Sequence, residues 1–205
     1  MACREVVKLP RYNKSAYSGA GDRAHPAAWP EMKPPVDVVL FEGWMLGFRP
    51  VGDAAAAAVH AGLREVNARL RAYRKAWDAY VDAWVVIEVA EAQWVFTWRL
   101  QAEQQMRAEG KAGMTDEEVA QFVRRYMPAY EAYLPQLYAE GPTTARPGRT
   151  LFVRVGEARQ LLGGRVLQGM PGASATALAA GIAVAVACMA LTLLLSAGQR
   201  RSKAR

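Results

Sequence analysis

Three stretches of the 205-residue chain gather side chains able to do polar chemistry. In VDVVLFEGWMLGFRPV, Val36 to Val51, an apolar run stops on a carboxylate, Glu42, followed at once by Gly43. A carboxylate there can hold Mg²⁺ or its water shell, or accept a proton from a hydroxyl, and the glycine lets the backbone turn close to a ligand. The same acid would serve equally as a strand-end cap paired with an arginine. In LPRYNKSAYSGAGDRA, Leu9 to Ala24, the charged residues Arg11, Lys14, Asp22 and Arg23 surround Tyr12, Asn13, Ser15 and two glycines. Guanidinium forks suit carboxylate or phosphate, and amides and hydroxyls suit hydroxyls, so the stretch fits a small anionic polyol. An ordinary polar loop has the same composition. In WRLQAEQQMRAEGKAGM, Trp98 to Met114, Arg99 and Arg107 stand eight residues apart, about two helical turns, and share roughly one face. Lys111 follows in a glycine-flanked loop. Cations on a helix and loop able to close over a site are what a phosphoryl-transfer lid requires, because the moving group spreads negative charge. A solvated charged face is the alternative.

These residues need elements to hold them. Val36 to Phe41 is β-branched and apolar nearly throughout, the pattern of a strand covered on both faces in a parallel sheet. Glu42 then falls at the carboxyl end of a strand, where ligands gather in open α/β sheets and where a Walker B acid stands. Ala54 to Asp82 reads as helix, with Val66, Leu70, Tyr73, Trp77 and Tyr80 returning on one face. Ala83 to Val89 is a second strand, and a helix follows from about Ala92 to Glu109. Thr115 with Glu118 makes a capping box that opens a helix over Asp116 to Tyr138, and Thr150 to Val155 closes as a third strand. Strands alternating with helices give an α/β fold on a parallel sheet.

Composition narrows the remaining classes. With 52% hydrophobic and 22% charged residues the chain can bury a sizeable core. The net charge of +7 is concentrated at the end, with Arg200, Arg201, Lys203 and Arg205 in the last six residues. No stripe of cations interleaved with aromatics marks a nucleic-acid partner. Cys3 and Cys188 stand far apart and form neither a disulfide framework nor a metal site, and His25 and His60 are isolated. The N-terminus carries no apolar leader and reads like the interior of a domain, so an upstream half is expected to be missing. Between Arg165 and Arg200 there is no charge, and Ala175 to Ala197 is long enough to cross a hydrocarbon core of about 30 Å. A transmembrane helix at 175–197 is therefore expected, with 161–174 as a glycine-rich linker and 198–205 as a basic tail, the whole acting as a tail anchor. A docked hydrophobic helix is the alternative.

Several long motifs, in order, resemble a known family. LPRYNKSAYSGAGDRA, VVLFEGWMLGF, VDAWVVI, WRLQAE, GMTDEEV and RYMPAYEAYLPQLYAEGP are similar to the C-terminal half of the plant and fungal D-glycerate 3-kinases. These belong with the phosphoribulokinase and uridine kinase branch of P-loop kinases. The resemblance covers about Leu9 to Val155. It implies a partial P-loop kinase sheet over 1–160, with flanking helices and a helical lid. It also implies ATP and Mg²⁺ as cofactors, D-glycerate as substrate, and transfer of the γ-phosphoryl group to its 3-hydroxyl. In plants and green algae this closes photorespiration in the chloroplast.

On this resemblance Glu42 stands beside Mg²⁺ at the Walker B-like strand end, with Gly43 giving the nucleotide side room. Arg11, Tyr12, Asn13, Lys14, Asp22 and Arg23 lie by the glycerate, and Arg99, Arg107 and Lys111 in the lid. An amide such as Asn13 hydrogen-bonds a hydroxyl but cannot act as base, so the base lies elsewhere.

No GxxxxGK[ST] loop occurs in these 205 residues; EGKAGM has the Gly-Lys pair, but Ala112 follows and the context runs from helix to loop. The chain as written is thus expected to be an inactive fragment of an ATP-dependent kinase. The alternative is a non-catalytic, membrane-tethered relative that keeps a glycerate or phosphate site. Oligomeric state is not legible. The parallel strand at 36–41, lacking neighbours, is expected to make the chain poorly soluble.

Overall fold

The computed structural model describes residues 5–13, 16–19, 22–110 and 113–168. They divide into two compact units, one up to Leu46 with Met106–Gly113, the other from Gly47 to Gln105 and from Met114 onward.

The first unit is built from short pieces. β1 (Val7–Lys8) pairs antiparallel with β4 (Glu31–Met32), and β2 (Tyr12–Asn13) with β3 (Asp22–Arg23). Ladders this short need other support. Leu9 donates its N–H to Pro30 O at 2.9 Å, Ala24 donates its own to Arg11 O at 2.8 Å, and the Trp29 indole donates to Ala24 O at 2.7 Å. His25 caps the 3₁₀ turn Pro26–Ala28, its Nδ1 accepting from Ala27 N.

The strand expected at Val36–Phe41 does not form. Residues 36–43 form neither strand nor helix, and Val38, Val39 and Leu40 are 81%, 76% and 63% exposed. The β-branched pattern encodes a strand to be covered, but a strand also needs a neighbour for its N–H and C=O groups. None among the described residues supplies one.

In the second unit α1 (Asp53–Val59) and α2 (Leu63–Ala76) replace the single helix expected over 54–82. The chain turns between them at His60, whose backbone is extended and whose Nδ1 accepts from Gly62 N at 3.1 Å. Asn67, fully buried on α2, ties the entry of α1: it accepts from Val51 N and donates to Val51 O, both at 2.9 Å, and donates to Asp53 Oδ1 at 2.7 Å. α2 ends at Ala76, which leaves Tyr80, expected on its apolar face, 79% exposed.

The sheet is mixed rather than parallel. β5 (Trp84–Val89) runs parallel to β6 (Thr150–Val155), the two strands expected there, and β7 (Leu161–Val166) runs antiparallel on the far side of β6. β7 occupies residues expected to begin a linker. Gly164 permits it: a Cβ there would come within 2.9 Å of Phe152 O, so only glycine allows β7 this close to β6. Along β5, Trp84, Val86 and Glu88 face inward while Val85 and Ile87 alternate outward. Leu151, Val153, Val155 and Val166 form an apolar cluster, with Val89 and Trp98 packed against it.

α3 (Trp94–Ala108) follows β5, and α4 (Asp116–Arg124) and α5 (Met127–Glu140) replace the one helix expected over 116–138. The break falls at Arg125 and Tyr126, and Pro128 stands in the first turn of α5, where its missing N–H has no intrahelical partner to lose; a second proline, Pro135, is accommodated inside α5. α5 buries Ala129, Tyr133 and Leu137, with the Tyr133 ring 5.7 Å from that of Phe48.

The expected membrane element is corrected. The span 175–197 lies outside the described residues, as do Cys188 and the basic tail, and no helix among the described residues is long and apolar enough to cross a membrane. The fold is an α/β arrangement of a mixed three-stranded sheet with helices.

Candidate active site

The polar loop of the first unit brings its residues together. Register places Tyr12 opposite Arg23 and Asn13 opposite Asp22, so four of the expected substrate-binding side chains share one small ladder. Asp22 turns its carboxylate back onto the chain, Oδ1 accepting from Arg23 N at 2.7 Å. The Arg23 guanidinium lies 5.9 Å from the Trp29 ring centre, a cation–π contact that orients it. Arg11, Tyr12, Asn13, Ala24 and Ala28 line an open concavity of about 510 Å³. Lys14, the remaining member of the expected set, lies outside the described residues.

Glu42 is exposed and precedes the turn at 44–47, in which Leu46 N donates to Gly43 O at 3.3 Å. A Cβ on Gly43 would meet nothing nearer than Leu46 Cβ at 3.8 Å, so the protein's own packing does not require a glycine there. The demanding glycine is Gly47: its φ is +82°, and a Cβ would strike Pro142 at 2.9 Å and Trp84 at 3.2 Å. No group of three or more His, Cys, Asp or Glu able to hold a metal ion occurs among the described residues. A single carboxylate nevertheless fits Mg²⁺, which keeps several waters and is commonly bound through one or two carboxylates together with substrate phosphates.

Arg107 also falls on α3, half-buried, and Lys111 lies outside the described residues. In the second unit Arg99 stands on α3. Its guanidinium ion-pairs with Glu103 on the same helix and lies 5.3 Å from the Phe122 ring centre of α4. Its Nε is buried without a hydrogen-bond partner among the described residues.

Two acids that sequence reasoning left without a role turn out to be anchors. Glu103, 2% exposed, takes Arg99 on one oxygen and Met114 N on the other. Its spacing of four residues from Arg99 was the available signal. Glu88, 7% exposed on β5, pairs with Arg165 of β7 at 2.6 Å, and Arg165 also reaches Tyr138 O. This pair joins the strands β5 and β7 that flank β6. No local pattern announced it.

A parallel β5–β6 pair with antiparallel β7 and helices α3 to α5 defines part of an α/β domain. No family model matches the chain. It is 57% identical over 153 residues to the chloroplastic D-glycerate 3-kinase of Arabidopsis thaliana, a match covering 75% of this chain and 34% of that protein. It is 38% identical over 144 residues to the uncharacterized kinase mug58 of Schizosaccharomyces pombe, covering 65% of this chain and 51% of the relative. Among solved structures, a D-glycerate 3-kinase from Cryptococcus neoformans superposes with a TM-score of 0.69 at 36% identity, over 79% of this chain and 60% of that one. The chain thus spans between a third and just over half of the length of these curated relatives. Over the part that matches, the resemblance to the D-glycerate 3-kinases is borne out by sequence and by fold.

Proposed function

We propose that the chain supplies the glycerate-accepting and lid portion of an ATP-dependent D-glycerate 3-kinase, which moves the γ-phosphoryl group of ATP to the 3-hydroxyl of D-glycerate. The observation that carries this is the ladder pairing Tyr12 and Asn13 with Arg23 and Asp22, with Arg11, Tyr12 and Asn13 lining one concavity, in a chain 57% identical over 153 residues to a D-glycerate 3-kinase.

Arg11, with Lys14, binds the glycerate carboxylate through charge-assisted hydrogen bonds. Asn13 and the Tyr12 hydroxyl hold the hydroxyls and orient the 3-hydroxyl for attack. Arg99, Arg107 and Lys111 offset the charge that develops on the transferring phosphoryl group. When bound, Mg²⁺ neutralises the nucleotide phosphates, and Glu42 is the residue of this chain that would hold it or its waters, with Gly43 leaving space for the nucleotide side. The Arabidopsis relative's name supports a chloroplast location.

The test replaces the matching residues of the Arabidopsis kinase with those of this chain and couples ADP release to glycerate. The hybrid is expected to release ADP only when glycerate is added, and Arg11→Ala to raise the glycerate KM at least about tenfold through loss of a charged hydrogen bond. A hybrid that binds ATP but gives no glycerate-dependent ADP contradicts the proposal.

A further inference from the structure

We infer that Glu103 is a positioning residue, which aims the Arg99 guanidinium and fixes the point where the chain re-enters α4; the functional half of this inference rests on the role proposed above for Arg99. A carboxylate that is 2% exposed is costly unless paired and hydrogen-bonded. Glu103 meets that condition with two partners of different kinds. Oε1 accepts from Arg99 Nη2, one turn earlier on α3, and Oε2 accepts from Met114 N at 2.9 Å.

Helix stability alone does not account for the pair. In a surface ion pair four residues apart the favoured order places the acid N-terminal to the base, in accord with the helix dipole. Here the order is reversed, with Arg99 first, and the acid is buried while the Arg99 side chain is 41% exposed. The burial therefore secures the guanidinium at Nη2, with Nε also buried, while part of the side chain stays accessible. Phe122 stands 5.3 Å from its centre and limits its rotation.

The second oxygen extends the effect. Met114 directly precedes Thr115, the N-cap of α4, whose side chain accepts from Glu118 N while Glu118 Oε2 accepts from Thr115 N. One carboxylate thus couples the aim of Arg99 to the start of α4. Displacing α4 would turn the guanidinium, and releasing the guanidinium would loosen the re-entry point.

Two measurements decide the matter. In the full 205-residue chain, Glu103→Ala is expected to speed amide hydrogen exchange at Met114 at least about tenfold relative to core amides such as Phe152, whereas Glu103→Gln, which keeps an acceptor, leaves it slow. In the hybrid kinase, Glu103→Gln and Arg99→Ala are each expected to lower kcat about tenfold with the glycerate KM changed less than about twofold, and the double variant to lose no more than either single one. Unchanged Met114 exchange in Glu103→Ala, or multiplicative losses in the double variant, would overturn the inference. A hybrid inactive before any substitution removes the phosphoryl-transfer role but not the positioning, which the exchange measurement then decides alone.

Discussion

Asp78 shows how a single residue can record its surroundings in a pH profile. It is 1% exposed; Oδ2 accepts from Thr143 Oγ1 at 3.0 Å, while Oδ1 has no partner among the described residues. Burial pushes its carboxyl above the usual value of 3.8, and the Thr143 hydroxyl offsets only part of that. The folded state therefore holds the proton more tightly than the unfolded chain, and this site's contribution to stability declines as pH rises from about 3.8 through the raised value. Asp78→Asn keeps an acceptor for Thr143 and removes the charge. Its unfolding free energy should equal that of wild type near pH 3 and exceed it at pH 7, by a margin on the order of 1 kcal/mol. A variant less stable at pH 7 than at pH 3, relative to wild type, would contradict this assignment. Asp53 behaves oppositely: the Arg71 and Asn67 hydrogen bonds hold its carboxyl below 3.8, so its contribution is present at neutral pH and lost as pH falls through the lowered value.

At the scale of elements, the capping box is the feature most fully legible in advance. Thr115 and Glu118 satisfy each other's backbone donors, as Thr-x-x-Glu before an apolar stripe predicts, and α4 buries Val119 and Val123. Thr115→Ala should destabilise the chain by about 1 kcal/mol, read by denaturant titration, with no change in the slope. The strands at 84–89 and 150–155 were equally legible, since each carries its own pattern. What was not legible depends on a partner or on a local break. Two helices stood where one periodic stretch was expected over 116–138, because the chain turns at Arg125 and Tyr126 without interrupting the apolar spacing. β7 looked like a linker because Gly163 and Gly164 read as punctuation, whereas in the sheet Gly164 is what allows close approach to Phe152 O.

Across the whole molecule, the grouping of polar side chains was easier to read than their supports. Arg11, Tyr12, Asn13, Asp22 and Arg23 were grouped by sequence proximity alone, and the β2–β3 register keeps four of them together. The anchors Glu88 and Glu103 stayed hidden because their value lies in burial and in partners up to 77 residues away. The segment 36–41 shows the same limit: its residue types specify a covered strand, yet coverage is supplied by other parts of a fold. Its exposed Val38, Val39 and Leu40 form an apolar patch of the kind that drives association. Val38→Thr with Val39→Thr should therefore lower self-association in analytical ultracentrifugation without lowering the melting temperature. Unchanged association, or a loss of stability, would show that the patch is not the cause.

The most direct measurement is ³¹P NMR of the hybrid kinase supplied with ATP, Mg²⁺ and D-glycerate. The account predicts a new phosphomonoester resonance coupled to the C3 protons of glycerate, rising as ATP is consumed and suppressed by Arg11→Ala. ATP consumed only to free phosphate, or a phosphoester at another carbon, would contradict it.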